Sequence, residues 1–273
     1  MSEILEDSSP PALVAAIEAN VVETCARLGY TPHGQIQDSP QVVWYSTGVA
    51  HPFYNMVVRA RFAPEDVDTQ IRETMTHFQA RKAPMSWFLG PTTQPADLGK
   101  HLETHGLTYA GDDPGMAVDL RTLNATLATT SGLSIQPVCD AEALEKWAEA
   151  YIGGYELAGI TIQEVLDLHA PLGLGENPPW QHYLGLLNGK PVATSWLSYG
   201  GGVAGIYGVA THPEARRQGI GAALTLAPLL DARAMGYRIG ILQSSAMGYN
   251  VYRGLGFQEY CKFSVYSWTE GAS

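Results

Sequence analysis

Cysteine is scarce in this chain, and so is positive charge. The three cysteines, Cys25, Cys139 and Cys261, lie far apart and are odd in number. That spacing builds neither a disulfide framework nor a zinc site, so no metal is expected and the thiols are read as reduced, in a cytoplasmic protein. Lys and Arg total 16 against 27 Asp and Glu, a net charge of −11. Binding a phosphate backbone needs clustered cations, so a nucleic-acid partner is not expected. No apolar run approaches the roughly 20 residues that cross a bilayer, and no membrane partner is expected. Met1 to Pro11 is acidic and lacks the basic-then-apolar order of a secretory leader.

What remains is an ordinary globular composition, 45% hydrophobic and 16% charged over 273 residues. That length makes one large domain or two small ones. The first half reads as a helix over 12–28, strands at 42–46 and 54–62, and a helix over 64–82 with Val67, Ile71, Met75 and Phe78 on one face. A strand at 85–89, a helix over 96–105 ending at Gly106, and a strand at 116–120 follow. Thr122 to Gly132, rich in Thr and Ala, reads as a linker. The second half opens with a strand at 134–138 and a helix over 141–150 capped by Asp140. A helical stretch over 161–168 and a Pro- and Gly-bearing loop over 171–179 come next. Strands at 180–187 and 191–199 then turn around Asn188-Gly189, a favoured hairpin dipeptide.

The most informative stretch runs from Val203 to Leu230. An apolar strand over 203–210 meets a short loop, Thr211 to Gly221, and then a helix carrying Leu224, Leu226, Leu229 and Leu230. A glycine-bearing turn at a helix N-terminus presents unpaired N–H groups to an anion and lets the backbone approach it closely. Arg216 and Arg217 add charge beside it. This loop has no Gly-Lys-Ser/Thr ending and is not Gly-x-Gly-x-x-Gly, so it is neither a triphosphate P-loop nor a dinucleotide fingerprint.

The pattern Arg216-x-x-Gly219-x-Gly221, preceded by strand-His-Pro, resembles the acetyl-CoA loop of the GCN5-related N-acetyltransferase (GNAT) family. The resemblance continues through Gly236 to Gln243, a short strand after a helix. It reaches Val251 to Phe257, which is similar to the family's Tyr-x-x-x-Gly-Phe segment. The resemblance implies an α+β fold, a mixed, mostly antiparallel twisted sheet flanked by helices.

Offset by about 150 residues, the halves share an outline, as a duplicated unit would. Phe62-Ala63-Pro64-Glu65 falls near Thr211-His212-Pro213-Glu214, and His105-Gly106-Leu107 falls on Leu255-Gly256-Phe257. Opposite Arg216–Gly221 stands Asp66-Val67-Asp68-Thr69-Gln70-Ile71, with two acids and no glycine. Opposite Tyr252 stands Leu102. The expected organisation is therefore two tandem GNAT-like units: residues 1–121 as a degenerate unit without a CoA loop, 122–133 as a linker, and 134–273 as the acetyltransferase domain.

By the same resemblance, the cofactor acetyl-CoA would be held by Val209, Ala210, Thr211, Arg216, Arg217, Gln218, Gly219, Ile220, Gly221 and Ala222. Ser245 stands where many relatives carry an asparagine that contacts the cofactor arm. Tyr252 stands in the place of a tyrosine general acid, and a phenol with pKa near ~10 keeps its proton at pH 7. Gly208 beside Tyr207 is a candidate bulge opening the strand edge. No Asp, Glu or His occupies 203–210 or 238–244, so a general base is sought among Glu156, Asp167, His169 and His182, while His212 reads as a loop residue. Tyr151, Tyr155, Trp180, Tyr183, Trp196 and Tyr199 are candidate walls of an acceptor pocket.

The expected activity is acetyl-CoA-dependent N-acetylation of a small amine, by direct attack in a ternary complex, in a monomer or homodimer. Two alternatives stay open: a non-catalytic acyl-CoA sensor, and an acyltransferase using another nucleophile or acyl chain.

Overall fold

The computed structural model describes residues 3–123 and 130–269. The centre of the expected linker, 124–129, lies outside the described residues. In chain order the elements are α1 (Pro10–Ala26), β1 (Gln35–Asp38), β2 (Val42–Ser46), β3 (Asn55–Ala60), α2 (Val67–Gln79), β4 (Met85–Leu89), α3 (Leu98–Thr104) and β5 (Thr108–Asp119). They continue with β6 (Leu133–Pro137), α4 (Ala141–Tyr155), α5 (Ile162–Gly173), β7 (Trp180–Leu187), β8 (Lys190–Gly200) and β9 (Val203–Thr211). The last are α6 (Ile220–Ala234), β10 (Ile239–Gln243), α7 (Tyr249–Gly254) and β11 (Gln258–Trp268). The class is α+β, as expected, with mostly antiparallel pairing.

The chain divides into two compact units that are not contiguous in sequence. Unit 1 holds residues 1–20 and 115–260; unit 2 holds 21–114 and 261–273. Each unit therefore borrows a strand from the other half of the sequence.

In unit 1 the strand order is β5-β10-β9-β8-β7-β6. Here β5 is present only by its end, Gly115–Asp119, antiparallel to β10. The hairpin β7–β8 turns as its sequence demands, with Asn188 at φ +51 and Gly189 at φ +81, the left-handed pair of a two-residue turn. Asp140 caps α4 through the Ala143 N–H at 2.8 Å. Helix α6 packs Leu224 and Leu229 against Ile206, Leu197 and Met116 in the unit's core. Pro228 interrupts this helix and cannot donate to the Leu224 carbonyl four residues back. The Ser195 hydroxyl donates to that carbonyl instead, at 2.7 Å, which fixes α6 on β8.

In unit 2 the order is β1-β2-β3-β4-β11, closed by Ser264–Trp268 pairing antiparallel to β4. Its core gathers Val57, Ile71, Phe78, Trp87, Leu98 and Leu102. Strand β3 runs parallel to β4 through Met56↔Ser86 and Val57↔Trp87. Beyond that pair the Gln94 N–H donates to the Ala60 carbonyl, and the Gln94 carbonyl accepts from the Phe62 N–H, at 3.1 and 3.0 Å.

Several elements differ from the sequence expectation, among them β5, which begins at Thr108 rather than 116, and α4, which runs on to Tyr155 rather than 150. Strand β1 gave no signal because it is a polar edge, mostly exposed. Helix α5 continues through Pro171 to Gly173 rather than yielding to a loop at 171. Pro171 there falls in the final turn, where the carbonyl it orphans belongs to exposed Asp167 and is open to water.

Candidate functional site

The site belongs to unit 1 and begins where two parallel strands separate. Strands β9 and β10 pair only at Gly240↔Ala204 and Ile241↔Gly205. From Ile206 to Thr211, β9 has no strand neighbour on that side among the described residues. On its other side, the register with β8 jumps from Trp196↔Tyr207 to Thr194↔Ala210. Gly208 and Val209 thus share a single opposite residue, Ser195, in a bulge that bends and twists the strand. Gly208 takes φ +58, and a side chain there would run into the Trp196 ring.

Strand β9 leads through one short turn, Pro213–Ala215, into α6. Arg217 at φ +61 and Gly219 at φ +78 hold left-handed conformations, the second eased by the missing Cβ. The first helical bond runs from the Ala223 N–H to the Gly219 carbonyl, 3.1 Å, so the N–H groups just before Ala223 have no partner inside the helix. Gly221 is different from Gly219: its backbone is ordinary, and an added Cβ would meet nothing nearer than Thr211 Oγ1, 3.7 Å away. Packing does not demand a glycine there, and glycine costs a helix about 1 kcal/mol against alanine. Its value lies in leaving the backbone bare.

Arg216 does not extend toward that bare helix end. Its guanidinium donates to the Thr211 and Gly154 carbonyls and to the Glu156 carboxylate, each at 3.0 Å. It ties the loop to the end of α4, while Arg217, Gln218 and Gly219 are exposed. The Thr130 hydroxyl holds the loop from another direction by donating to the Gln218 carbonyl at 2.5 Å.

Tyr252 lies on α7 with 9% exposure, in the core with Phe257 and Leu255. Burial pushes its phenol up to about 12. Ser245 is exposed, and its hydroxyl accepts from the Gly248 N–H at 3.3 Å, which makes it a cap for the turn leading into α7.

The expected base candidates scatter. Glu156 is the left-handed cap of α4, paired with Arg216. Asp167 is exposed and accepts from Gln163 at 2.7 Å. His169 and His182 are brought together, Nδ1 to Nε2 at 2.9 Å, in full burial among Trp147, Tyr151, Trp180 and Trp196. Burial lowers His169 to about 3 and His182 well below its ordinary value, the second lowered further by its neighbour. Both are neutral rings packed in aromatic surroundings. His212 stands at the mouth of the loop, where its N–H donates to the Val192 carbonyl.

The six expected pocket aromatics do not form one wall. Strand alternation separates them: Trp180 and Trp196 join Trp147 and Tyr151. Tyr183 instead donates to Asp231 of α6 at 2.7 Å, and Tyr199 stacks on Tyr237. Tyr155 is the exposed edge of the first group, 5.0 Å from Tyr151.

Two residues bordering the separated strands were missed. Asn20, from α1, is fully buried; its amide donates to the Gly200 carbonyl at 2.9 Å, and its oxygen accepts from the Tyr207 hydroxyl at 2.6 Å. A side chain at Gly205 would collide with it. Gln243 ends β10, and its Nε2 is buried without a hydrogen-bond partner. The polar residue closing an otherwise apolar strand, Ile239 to Leu242, was the available signal for Gln243. Nothing local marked Asn20.

Residues 178–259 match the acetyltransferase (GNAT) domain family. The fold is similar to that of a GCN5-related N-acetyltransferase from Kribbella flavida, with TM-score 0.68 at 20% identity over 93% of this chain and 97% of that one. It is also similar to a GCN5-related N-acetyltransferase from Sphaerobacter thermophilus, with TM-score 0.62 at 16% identity over 85% and 82%. A tandem GNAT protein from the clavulanic acid biosynthesis pathway aligns with TM-score 0.58 at 14% identity over 100% and 98%. At these identities the likeness is one of fold. No curated protein matches the chain.

Proposed function

We propose that this chain, which carries a GNAT acetyltransferase domain at residues 178–259, moves an acetyl group from acetyl-CoA to the nitrogen of a small amine by direct attack, with both substrates bound together. The observation that carries the reading is the open edge of β9 beyond Gly205, leading directly to the bare N-terminus of α6. An extended, amide-bearing arm fits such an edge as an added strand would, and a pyrophosphate fits the helix end.

When bound, acetyl-CoA supplies an acyl group activated as a thioester. The chain's residues do the rest. In this reading the N–H groups from Arg217 to Ala222 hold the pyrophosphate, with the Arg217 side chain adding charge and Arg216 keeping the loop in shape. The main chain of Val209, Ala210 and Thr211 would pair with the arm, and the Val209 N–H would be the donor to the acyl oxygen. Tyr252 keeps its proton through the neutral range and donates it to the leaving sulfur. Ser245 contributes by fixing the start of α7. Neither β9 nor β10 carries a carboxylate or imidazole, so the amine's proton leaves to a group outside these two strands or to water.

Thermal unfolding with and without ligand tests the reading. Acetyl-CoA and CoA at about 100 times Kd should each stabilise the protein by about 2.7 kcal/mol. Replacing Gly219 and Gly221 together by leucine should abolish that stabilisation. CoA release in the presence of an amine panel then tests turnover. Absence of any stabilisation in the wild type would end the proposal, and binding with no release for any amine would leave the sensor and the acyltransferase of another nucleophile or acyl chain.

A further inference from the structure

Gln243 is an anomaly that unit 1 leaves unresolved. A buried donor without a partner is destabilising, and native structures hold few of them. Among the described residues, Gln243 Nε2 is one buried side-chain donor without a hydrogen-bond partner. Its place in the fold is specific. It is the last residue of β10, two positions beyond Ile241, whose partner Gly205 is the final β9 residue to pair with β10. Alternation sets Gln243 on the same face as Ile241 and Gly205. Asn20 covers Gly205 on that face, and Tyr207 reaches Asn20 from it. The half-buried Tyr207 ring stacks on Trp196, with centroids 5.9 Å apart and planes at 18°.

We propose that Gln243 is a ligand-contacting residue, whose terminal amide donates a hydrogen bond to an oxygen of a molecule seated between the parted ends of β9 and β10. This rests on the acetyltransferase reading and adds to it a specific contact. The class of ligand group is an uncharged acceptor oxygen, a carbonyl or hydroxyl. A carboxamide matches such a group without the cost of burying a net charge. Such an oxygen has two sources, the amide-bearing arm of acyl-CoA and the acceptor molecule.

The test uses the full chain and two apolar, similarly shaped substitutions, Gln243→Leu and Gln243→Met. Each removes an unpartnered polar atom from the ligand-free protein, so the melting temperature should hold or rise. If the arm is the source, the Kd for acetyl-CoA measured by calorimetry rises roughly tenfold in both variants. If the acceptor is the source, that Kd holds while KM rises roughly tenfold for the best substrate among tyramine, ethanolamine and glycinamide, amines that carry a hydroxyl or a carbonyl oxygen. In the wild type, the Gln243 side-chain amide resonance, assigned through bonds from its own backbone, should move when the responsible ligand is added. Unchanged Kd and KM in variants as stable as the wild type would overturn the proposal, and so would a resonance that no ligand moves, should both variants fail to fold. Those results leave acetyl-CoA binding by the wild type intact, so they are distinct from failure of the acetyltransferase reading itself.

Discussion

The order β9, α6, β10, α7 of unit 1 recurs in unit 2 as β3, α2, β4, α3, yet the two units treat the space beside their parallel strand pair in opposite ways. In unit 1, β9 continues past its last β10 pair with an open edge. In unit 2, Gln94 fills the corresponding edge, bonding to Ala60 and Phe62 as an added strand would, and Arg61 reaches Thr92 at 2.6 Å. The helices that follow differ in the same sense. Helix α6 opens on Gly219 and Gly221, whereas α2 is preceded by Asp66 and carries Asp68 in its first turn. The Asp68 carboxylate is taken by His101 and His105, each at 3.1 Å. Leu102, which falls opposite Tyr252 when the halves of the sequence are offset by about 150 residues, is fully buried. The contrast lies in the backbone: among the described residues β9 has no strand partner on that side beyond Gly205, whereas the corresponding stretch of unit 2 is satisfied by the chain itself through Gln94.

The harshest way to break the comparison is to separate the halves by sequence. A fragment 134–273 lacks Gly115–Asp119, the antiparallel neighbour of β10, and Asn20, which holds the β8–β9 turn through Gly200. It exposes the edge of a central strand. We expect no cooperative thermal transition from this fragment by circular dichroism; a native-like melt would show that unit 1 does not need its borrowed parts.

The next effect is catalytic. Tyr252→Phe should lower kcat by at least about 100-fold while acetyl-CoA still binds with its wild-type Kd, as loss of a proton donor does. Leu102→Tyr, the reciprocal change in unit 2, should leave kcat untouched and cost about 1–3 kcal/mol of stability by overpacking. Equal turnover by Tyr252→Phe and wild type would remove the tyrosine from the chemistry.

Stability against pH separates the units further. Burial holds His169 near about 3, against 6.5 for a free imidazole, and holds His182 well below its ordinary value. The unfolded chain then binds protons that the folded chain refuses. This contribution is complete above pH 6.5 and is lost as the pH falls from there toward 3. In unit 2 the histidines on Asp68 lower its carboxyl from 3.8, so its smaller, exposed contribution fades only below that pH. Urea midpoints measured from pH 7 to 4 should fall for the wild type and flatten when both buried histidines become leucine. An unchanged slope in that variant would refute the assignment.

Much of this was legible from residue pattern. The cap at Asp140, the Asn188-Gly189 turn, the bulge at Gly208 and the glycine-started helix each follow from a local rule that the surrounding structure obeys. What escaped depended on distant parts of the chain. Arg216 reads as a phosphate ligand in sequence, but three nearby acceptors claim its guanidinium. Six aromatics read as candidate walls of one acceptor pocket, and strand alternation divides them. The borrowed strands and Asn20 join residues more than a hundred positions apart, where no local periodicity carries information.

The smallest expected effect is the most discriminating. Grafting the loop pattern onto the exposed positions of unit 2, by Asp66→Arg, Asp68→Gln and Thr69→Gly with the core residues Val67 and Ile71 kept, removes both acids and supplies a glycine at the start of α2. If helix chemistry alone decided binding, calorimetry would then count two acetyl-CoA molecules per chain. We expect the count to remain one. The edge beside Ala60 is already hydrogen-bonded by Gln94, and an incoming arm would have to break two backbone bonds to form its own. That exchange gains no net hydrogen bonding and still bears the entropy of binding. A second equivalent of acetyl-CoA bound to the grafted chain would show that Gln94 yields its place, and that the acids of α2 alone had kept unit 2 closed.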